Sequence, residues 1–98
     1  MAELIIYVDT NFEGLHTHIF QSTPDFTKLS LGGVGTNVTG NWNDLTSSFV
    51  IVSGQWAFFK DINFQNQQGP ILGPGLYPIM ELGGIQNDVL SSVLLVNL

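Results

Sequence analysis

The chain has 98 residues, enough for one two-layer β domain and too few for a second core. Hydrophobic residues make up 44% and charged residues only 10%, which argues against disorder. Two lysines, Lys28 and Lys60, stand against eight acidic side chains; the net charge of −6 argues against nucleic acid or anionic membrane as partners, and the lack of cysteine excludes disulfides and thiolate metal sites.

In chain order, Glu3 to Val8 is dense in branched and aromatic side chains and reads as a buried strand. Asp9-Thr10-Asn11-Phe12-Glu13-Gly14 is rich in turn formers, and His16 to Phe20 reads as a second strand, so the two form a hairpin. Gln21 to Asn41 holds Gly32, Gly33, Gly35 and Gly40 and reads as a long surface loop. Asn43-Asp44-Leu45-Thr46-Ser47-Ser48 follows, then the apolar run Phe49-Val50-Ile51-Val52. A second hairpin is expected from Ala57-Phe58-Phe59-Lys60, the turn Asp61 to Asn66 and a strand beyond it. Gly69-Pro70, Gly73-Pro74-Gly75 and Gly83-Gly84 are turn signals, and a short helical turn before either Asn-Asp loop is compatible with the pattern. Asn87-Asp88-Val89-Leu90-Ser91-Ser92 then repeats the earlier loop, again before an apolar run, Val93-Leu94-Leu95-Val96.

The chain is therefore two repeats, each with a hairpin early and an Asn-Asp loop late. Tyr7-x4-Phe12-x-Gly14 and Phe59-x4-Phe64-x-Asn66 share one spacing. The hairpins are offset by 52 residues and the loops by 44, so the first repeat carries about eight extra residues, placed within Gln21 to Asn41. The loops match in order: Asn, Asp, two free positions, two serines. These residues offer oxygen and neither sulfur nor imidazole, which suits a hard cation; calcium wants six to eight such ligands. One short loop cannot supply them, but two brought together can. A single loop of this kind is most simply an Asx or capping turn. Two copies beside two matching hairpins point to calcium.

Several motifs together resemble the βγ-crystallins. Tyr7-x4-Phe12-x-Gly14 is similar to their signature hairpin. Asn43-Asp44-x-x-Ser47-Ser48 and Asn87-Asp88-x-x-Ser91-Ser92 resemble the double-clamp calcium motif of their microbial, single-domain members. Ser53-Gly54-Gln55-Trp56 resembles the link between Greek keys, and Gly73-Pro74-Gly75-Leu76-Tyr77 the stretch bearing a tyrosine corner. The resemblance covers nearly the whole chain. It implies an all-β fold in which two Greek keys, residues 1–53 and 54–98, form a β-sandwich. It also implies two Ca²⁺ ions, each drawing on both loops. The ligands implied are the hydroxyls of Ser47 and Ser91, the carbonyls of Leu45 and Val89, the side chains of Asn43, Asp44, Asn87 and Asp88, and the carbonyls of Val8 and Lys60. Whether the Asn or the Asp of each loop bonds directly stays open. Ser48 and Ser92 are implied to tie loop to hairpin. The chain departs from the family pattern in two places. Asn66 stands where the hairpin glycine is expected, and Phe26 is set against Tyr77 in the first repeat.

Other features are weaker. Asp9-x-Asn11-x-Glu13-Gly14 imitates an EF-hand loop but puts Phe20 where the bidentate Glu belongs, between strands rather than helices. His16 and His18 share a strand face and are able to bind zinc or copper, but no third ligand is near in sequence, so surface histidines are the preferred reading. No Ser-His-Asp set rises above chance, and an enzyme is not expected. Asn37-Val38-Thr39 has the glycosylation form and is read as incidental. Trp42 beside the first clamp is either core or a fluorescence reporter of calcium. No basic segment followed by an apolar stretch opens the chain, and no apolar run approaches the ~18–20 residues of a membrane span. The function expected is calcium binding that stabilises the fold. The alternative is an interaction module, either a lectin-like sandwich or a homodimer, since both apolar runs place hydrophobic side chains on two faces.

Overall fold

A computed structural model describes residues 2–32 and 37–98. Seven strands carry the fold: β1 (Glu3–Asp9), β2 (Glu13–Ile19), β3 (Ser48–Ser53), β4 (Gln55–Asp61), β5 (Gln65–Leu72), β6 (Gly75–Tyr77) and β7 (Ser92–Asn97). They form two antiparallel sheets, a four-stranded one in the order β2-β1-β3-β6 and a three-stranded one in the order β5-β4-β7. Thr10–Phe12 is a tight turn with Asn11 and Phe12 in the left-handed region, and the only helical segments among the described residues are short 3₁₀ turns at Phe26–Lys28 and Met80–Gly83. Both stand ahead of the Asn-Asp loops, where a helical turn was compatible with the pattern.

Period-two alternation decides which side chains face inward. Leu4 and Ile6 of β1, Phe49 and Ile51 of β3, and Trp56 and Phe58 of β4 are buried between the sheets. Phe49 joins the layers: its ring lies 4.7 Å from Phe58 of the opposite sheet and 4.5 Å from Tyr77 of its own. Such aromatic pairs add about 0.5–1.5 kcal/mol beyond the area they bury. Tyr77 closes a corner by donating its hydroxyl to the Gly73 carbonyl at 3.1 Å, as the resemblance implied.

The third strand of each repeat crosses to the other repeat's sheet. β6 pairs with β3, with Phe49 opposite Tyr77. Its counterpart in the first repeat is a single bridge, Thr23 to Val93 of β7, supported by a Ser22 hydroxyl that accepts from the Leu95 N–H. The register corrects the match of Phe26 to Tyr77, because Thr23 occupies that place. Phe26 instead corresponds to Met80: each is fully buried at the start of a 3₁₀ turn. Pro24 and Pro78 correspond too, accepting from the N–H groups of Asn63 and Asn11 at 2.7 and 2.9 Å. The insertion therefore follows Phe26. The loop expected over Gln21 to Asn41 is partly ordered by this buried anchor and by a Ser30–Asn41 bridge; Gly33 and Gly35 lie outside the described residues.

Gly69-Pro70 is a second correction. No turn forms there, and β5 runs through it to Leu72. β5 is an edge strand, where a proline's missing N–H costs little. The register slips between Trp56 and Phe58, so the glycine and proline sit in an irregularity. Gly69 takes φ +67, and a Cβ there would collide with the Gly83 carbonyl.

Candidate metal site

The hairpins set the stage. Asn11-Phe12 and Asn63-Phe64 each place two successive residues in the left-handed region, and each aromatic stacks edge-on against its partner, Tyr7 or Phe59, at 5.7 Å. Gly14 lies at φ 79; Asn66, its counterpart, lies at φ 60 and keeps the turn because Asn tolerates this conformation better than most residues. Ser48 and Ser92 lock loop to hairpin. Ser48 Oγ accepts from the Phe12 N–H at 3.0 Å and donates to the Asp9 carbonyl at 2.6 Å. Ser92 does the same with Phe64 and Asp61, at 3.2 and 2.7 Å. Both serines are fully buried, as their tying role requires.

The two Asn-Asp loops are then fixed against each other. Asp44 and Asp88 both have φ 59. The Asp44 N–H donates to the Leu90 carbonyl at 3.1 Å, and the Asp88 N–H to the Thr46 carbonyl at 3.4 Å. Ser47 N–H reaches the Tyr7 carbonyl at 2.9 Å and Ser91 N–H the Phe59 carbonyl at 3.0 Å. These bonds aim each serine hydroxyl across the repeat boundary. Ser47 Oγ donates to Asp88 Oδ1 at 3.1 Å, and Ser91 Oγ donates to Asp44 Oδ1 at 3.2 Å. The arrangement is two-fold: each oxygen pair takes one member from each loop.

One pair opens on a cleft of about 450 Å³ lined by Asn43, Asp44, Lys60, Asp61, Ile62, Val89 and Ser91. Five of the ten residues singled out in the sequence thus meet there. Ser47 and Asp88 meet at the other pair. Leu45 is the residue after Asp44, and Val8 follows the Tyr7 carbonyl that holds Ser47. Asn87 lies apart, beside Glu81, Gly84, Ile85, Gln86 and Val89 in a neighbouring depression. Of each Asn-Asp pair, the aspartate is the residue that reaches the other loop's serine.

Two site features were not legible in the sequence. Asp61 and Ile62 line the cleft, although only a turn role was given to them; the matching Asp9 at the other hairpin was the available signal. The fourth loop position is not free: Thr46 and Leu90 are both fully buried and anchor their loops. Trp42 is core, fully buried, with its backbone N–H on the Leu29 carbonyl. Among the described residues, no three His, Asp or Glu side chains gather where they could hold a metal ion. Any ion in this region would depend on hydroxyl and carbonyl oxygens beside single carboxylates.

The sequence model of the beta/gamma crystallin family matches residues 3–96. The chain belongs to this family. It is 35% identical over 95 residues to a beta/gamma-crystallin of Ciona intestinalis, covering 95% of this chain and 96% of that one. The crystal structure of a βγ-crystallin from an archaeon superposes with a TM-score of 0.76 at 31% identity, over 97% of this chain and 98% of that one. A βγ-crystallin from Methanosaeta thermophila, described as transition-metal-ion-binding, gives a TM-score of 0.68 at 30% identity, over 94% of this chain and 98% of that one. The family's two-sheet sandwich agrees with the strand order described above.

Proposed function

We propose that this βγ-crystallin domain binds two Ca²⁺ ions between its Asn-Asp loops and that the ions stabilise the fold. The observation that carries this reading is the reciprocal pairing of Ser47 with Asp88 and Ser91 with Asp44. Two oxygens bound to one calcium at about 2.4 Å lie roughly 3 Å apart. The observed 3.1 and 3.2 Å already match that separation. One ion would take Ser91, Asp44 and the carbonyls of Val89 and Lys60; the other would take Ser47, Asp88 and the carbonyls of Leu45 and Val8. Carbonyl donation accounts for apolar residues, and for the cationic Lys60, beside a metal. The serine protons now aimed at carboxylates would turn away, leaving hydroxyl lone pairs for the ion.

The Methanosaeta relative raises a transition metal as the alternative ion. The proposed ligands here contain neither imidazole nor thiolate, and carboxylate, carbonyl and hydroxyl donors suit hard cations. We infer also that the domain acts by binding rather than catalysis, in keeping with a family of structural and binding domains. Calorimetric titration with calcium tests the reading directly. Two bound ions are expected, with Ser91→Arg losing affinity because bulk and fixed charge occupy a ligand position. Two sites of unchanged affinity in that variant would refute the assignment.

A further inference from the structure

The outer face of the four-stranded sheet carries the chain's two imidazoles, His16 and His18, both exposed on β2. They are two residues apart and so point to the same side. Their rings lie 5.5 Å apart between centroids. With metal–nitrogen bonds of about 2.0–2.1 Å, two imidazoles sharing one ion have centroids roughly 5 Å apart, so little movement is needed to bring both to one ion.

The sequence offers no third ligand, but the register supplies a carboxylate that orients one of the two imidazoles. His18 lies opposite Ile5 of β1, and Glu3 is the next residue of β1 on that outer face. Glu3 therefore sits diagonally beside His18, within reach of a long side chain. His18 Nδ1 and Glu3 Oε2 lie 2.6 Å apart, and because a carboxylate only accepts, the imidazole is the donor, through Nδ1–H. A neutral imidazole that gives its proton at Nδ1 carries its lone pair at Nε2. A carboxylate on the far nitrogen is the usual companion of a metal-bound histidine, since it fixes the tautomer and raises ligand basicity. Tyr7 and Phe20 bracket the pair, their rings 5.3 Å from His16 and 6.3 Å from His18. They limit how far the imidazoles can swing.

We propose that His16 and His18 form a two-imidazole site for a divalent transition metal, with Glu3 orienting His18 and water filling the remaining positions. Imidazole suits copper, nickel and zinc, and Cu²⁺ binds most tightly in the general affinity order. The site is independent of the proposed calcium clamps, whose ligands are oxygen.

The test is titration of the whole chain with Cu²⁺, with the clamps saturated by calcium, followed by calorimetry and electron paramagnetic resonance. One copper with hyperfine coupling to two imidazole nitrogens is expected. His16→Ala and His18→Ala should each weaken binding at least tenfold and remove one nitrogen from the spectrum. Glu3→Gln should weaken it by about 10–100-fold while keeping both nitrogens, as loss of an orienting carboxylate does. The three side chains are on the surface, and melting curves would show that the variants fold. Copper bound without two imidazole nitrogens, or with the same affinity after both histidines are replaced, would overturn the proposal. Unchanged affinity in Glu3→Gln would overturn the role given to Glu3.

Discussion

Replacing Asp44 by glycine separates the proposed metal from the protein that surrounds it. Glycine keeps φ 59 without strain, so only the carboxylate is lost. In the presence of a chelator the variant loses the bond from Ser91 Oγ, worth about 1 kcal/mol. The freer unfolded chain costs a further amount of about 0.4–1 kcal/mol, and relief of the Cβ in the left-handed region offsets about as much. Asp44→Gly should therefore be destabilised by roughly 1 kcal/mol without calcium. Calcium at a hundredfold excess over Kd adds roughly 2.7 kcal/mol per site when only the folded state binds. At about 4–8 °C per kcal/mol for a domain of this size, each filled site raises Tm by at least ~10 °C. The parent should show the increment of two sites, and Asp44→Gly about half of it. Asp44→Ala is the control: a Cβ in the left-handed region costs up to about 1–2 kcal/mol more. That cost should lower both of its melting curves and leave its calcium increment equal to that of the glycine variant. Melting followed by circular dichroism, in EGTA and in millimolar calcium, measures all six curves. An increment in Asp44→Gly as large as the parent's would mean that the carboxylate does not meet the ion. Coincident parent curves would refute calcium stabilisation altogether.

Ser48→Ala removes the partner of the part-buried Phe12 N–H and Asp9 carbonyl, so denaturant unfolding in EGTA should show a loss of about 1 kcal/mol or more; a loss below about 0.5 kcal/mol would contradict its tying role. Asn66→Gly should be nearly neutral at φ 60, whereas Asn66→Ala should cost about 1 kcal/mol or more, and equal melting temperatures for the two would show that the left-handed turn is not under strain. Val52 and Leu76, 49% and 69% exposed, lie with Phe20 on the outer face of the four-stranded sheet, and weak homodimerisation through that face should be abolished by Leu76→Lys. Sedimentation at high concentration checks it, and a strictly monomeric parent would remove the idea.

The parts legible in the sequence are those in which one residue type does one job. The paired hairpins showed because an aromatic pair and a left-handed Gly or Asn recur at fixed offsets, Tyr7, Phe12 and Gly14 against Phe59, Phe64 and Asn66. The paired loops showed because six positions recur in order. The first repeat's third strand stayed hidden because it is reduced to the Thr23 bridge and a Ser22 hydroxyl, too short for alternation to register. With no strand to align, the sequence sets Phe26 against Tyr77, whereas the register pairs it with Met80. Gly69-Pro70 misled because a turn signal and an edge-strand irregularity use the same residues. The burial of Thr46 and Leu90 was invisible because a threonine and a leucine share no sequence label, only a position against the core.

The crossing of third strands bears on how such a chain could have arisen. Cutting at Gly54 would leave one fragment without the β6 edge of its sheet and the other without the Thr23 bridge to β7. Each fragment would also hold a serine whose aspartate is on the other. Two such pieces should reassemble when mixed, because every missing partner of one is carried by the other. A lone ancestral repeat faced the same shortage and could relieve it only with a second copy of itself. Duplication and fusion would then have converted an intertwined pair into a single chain, with the Ser53–Gly54 link as the join.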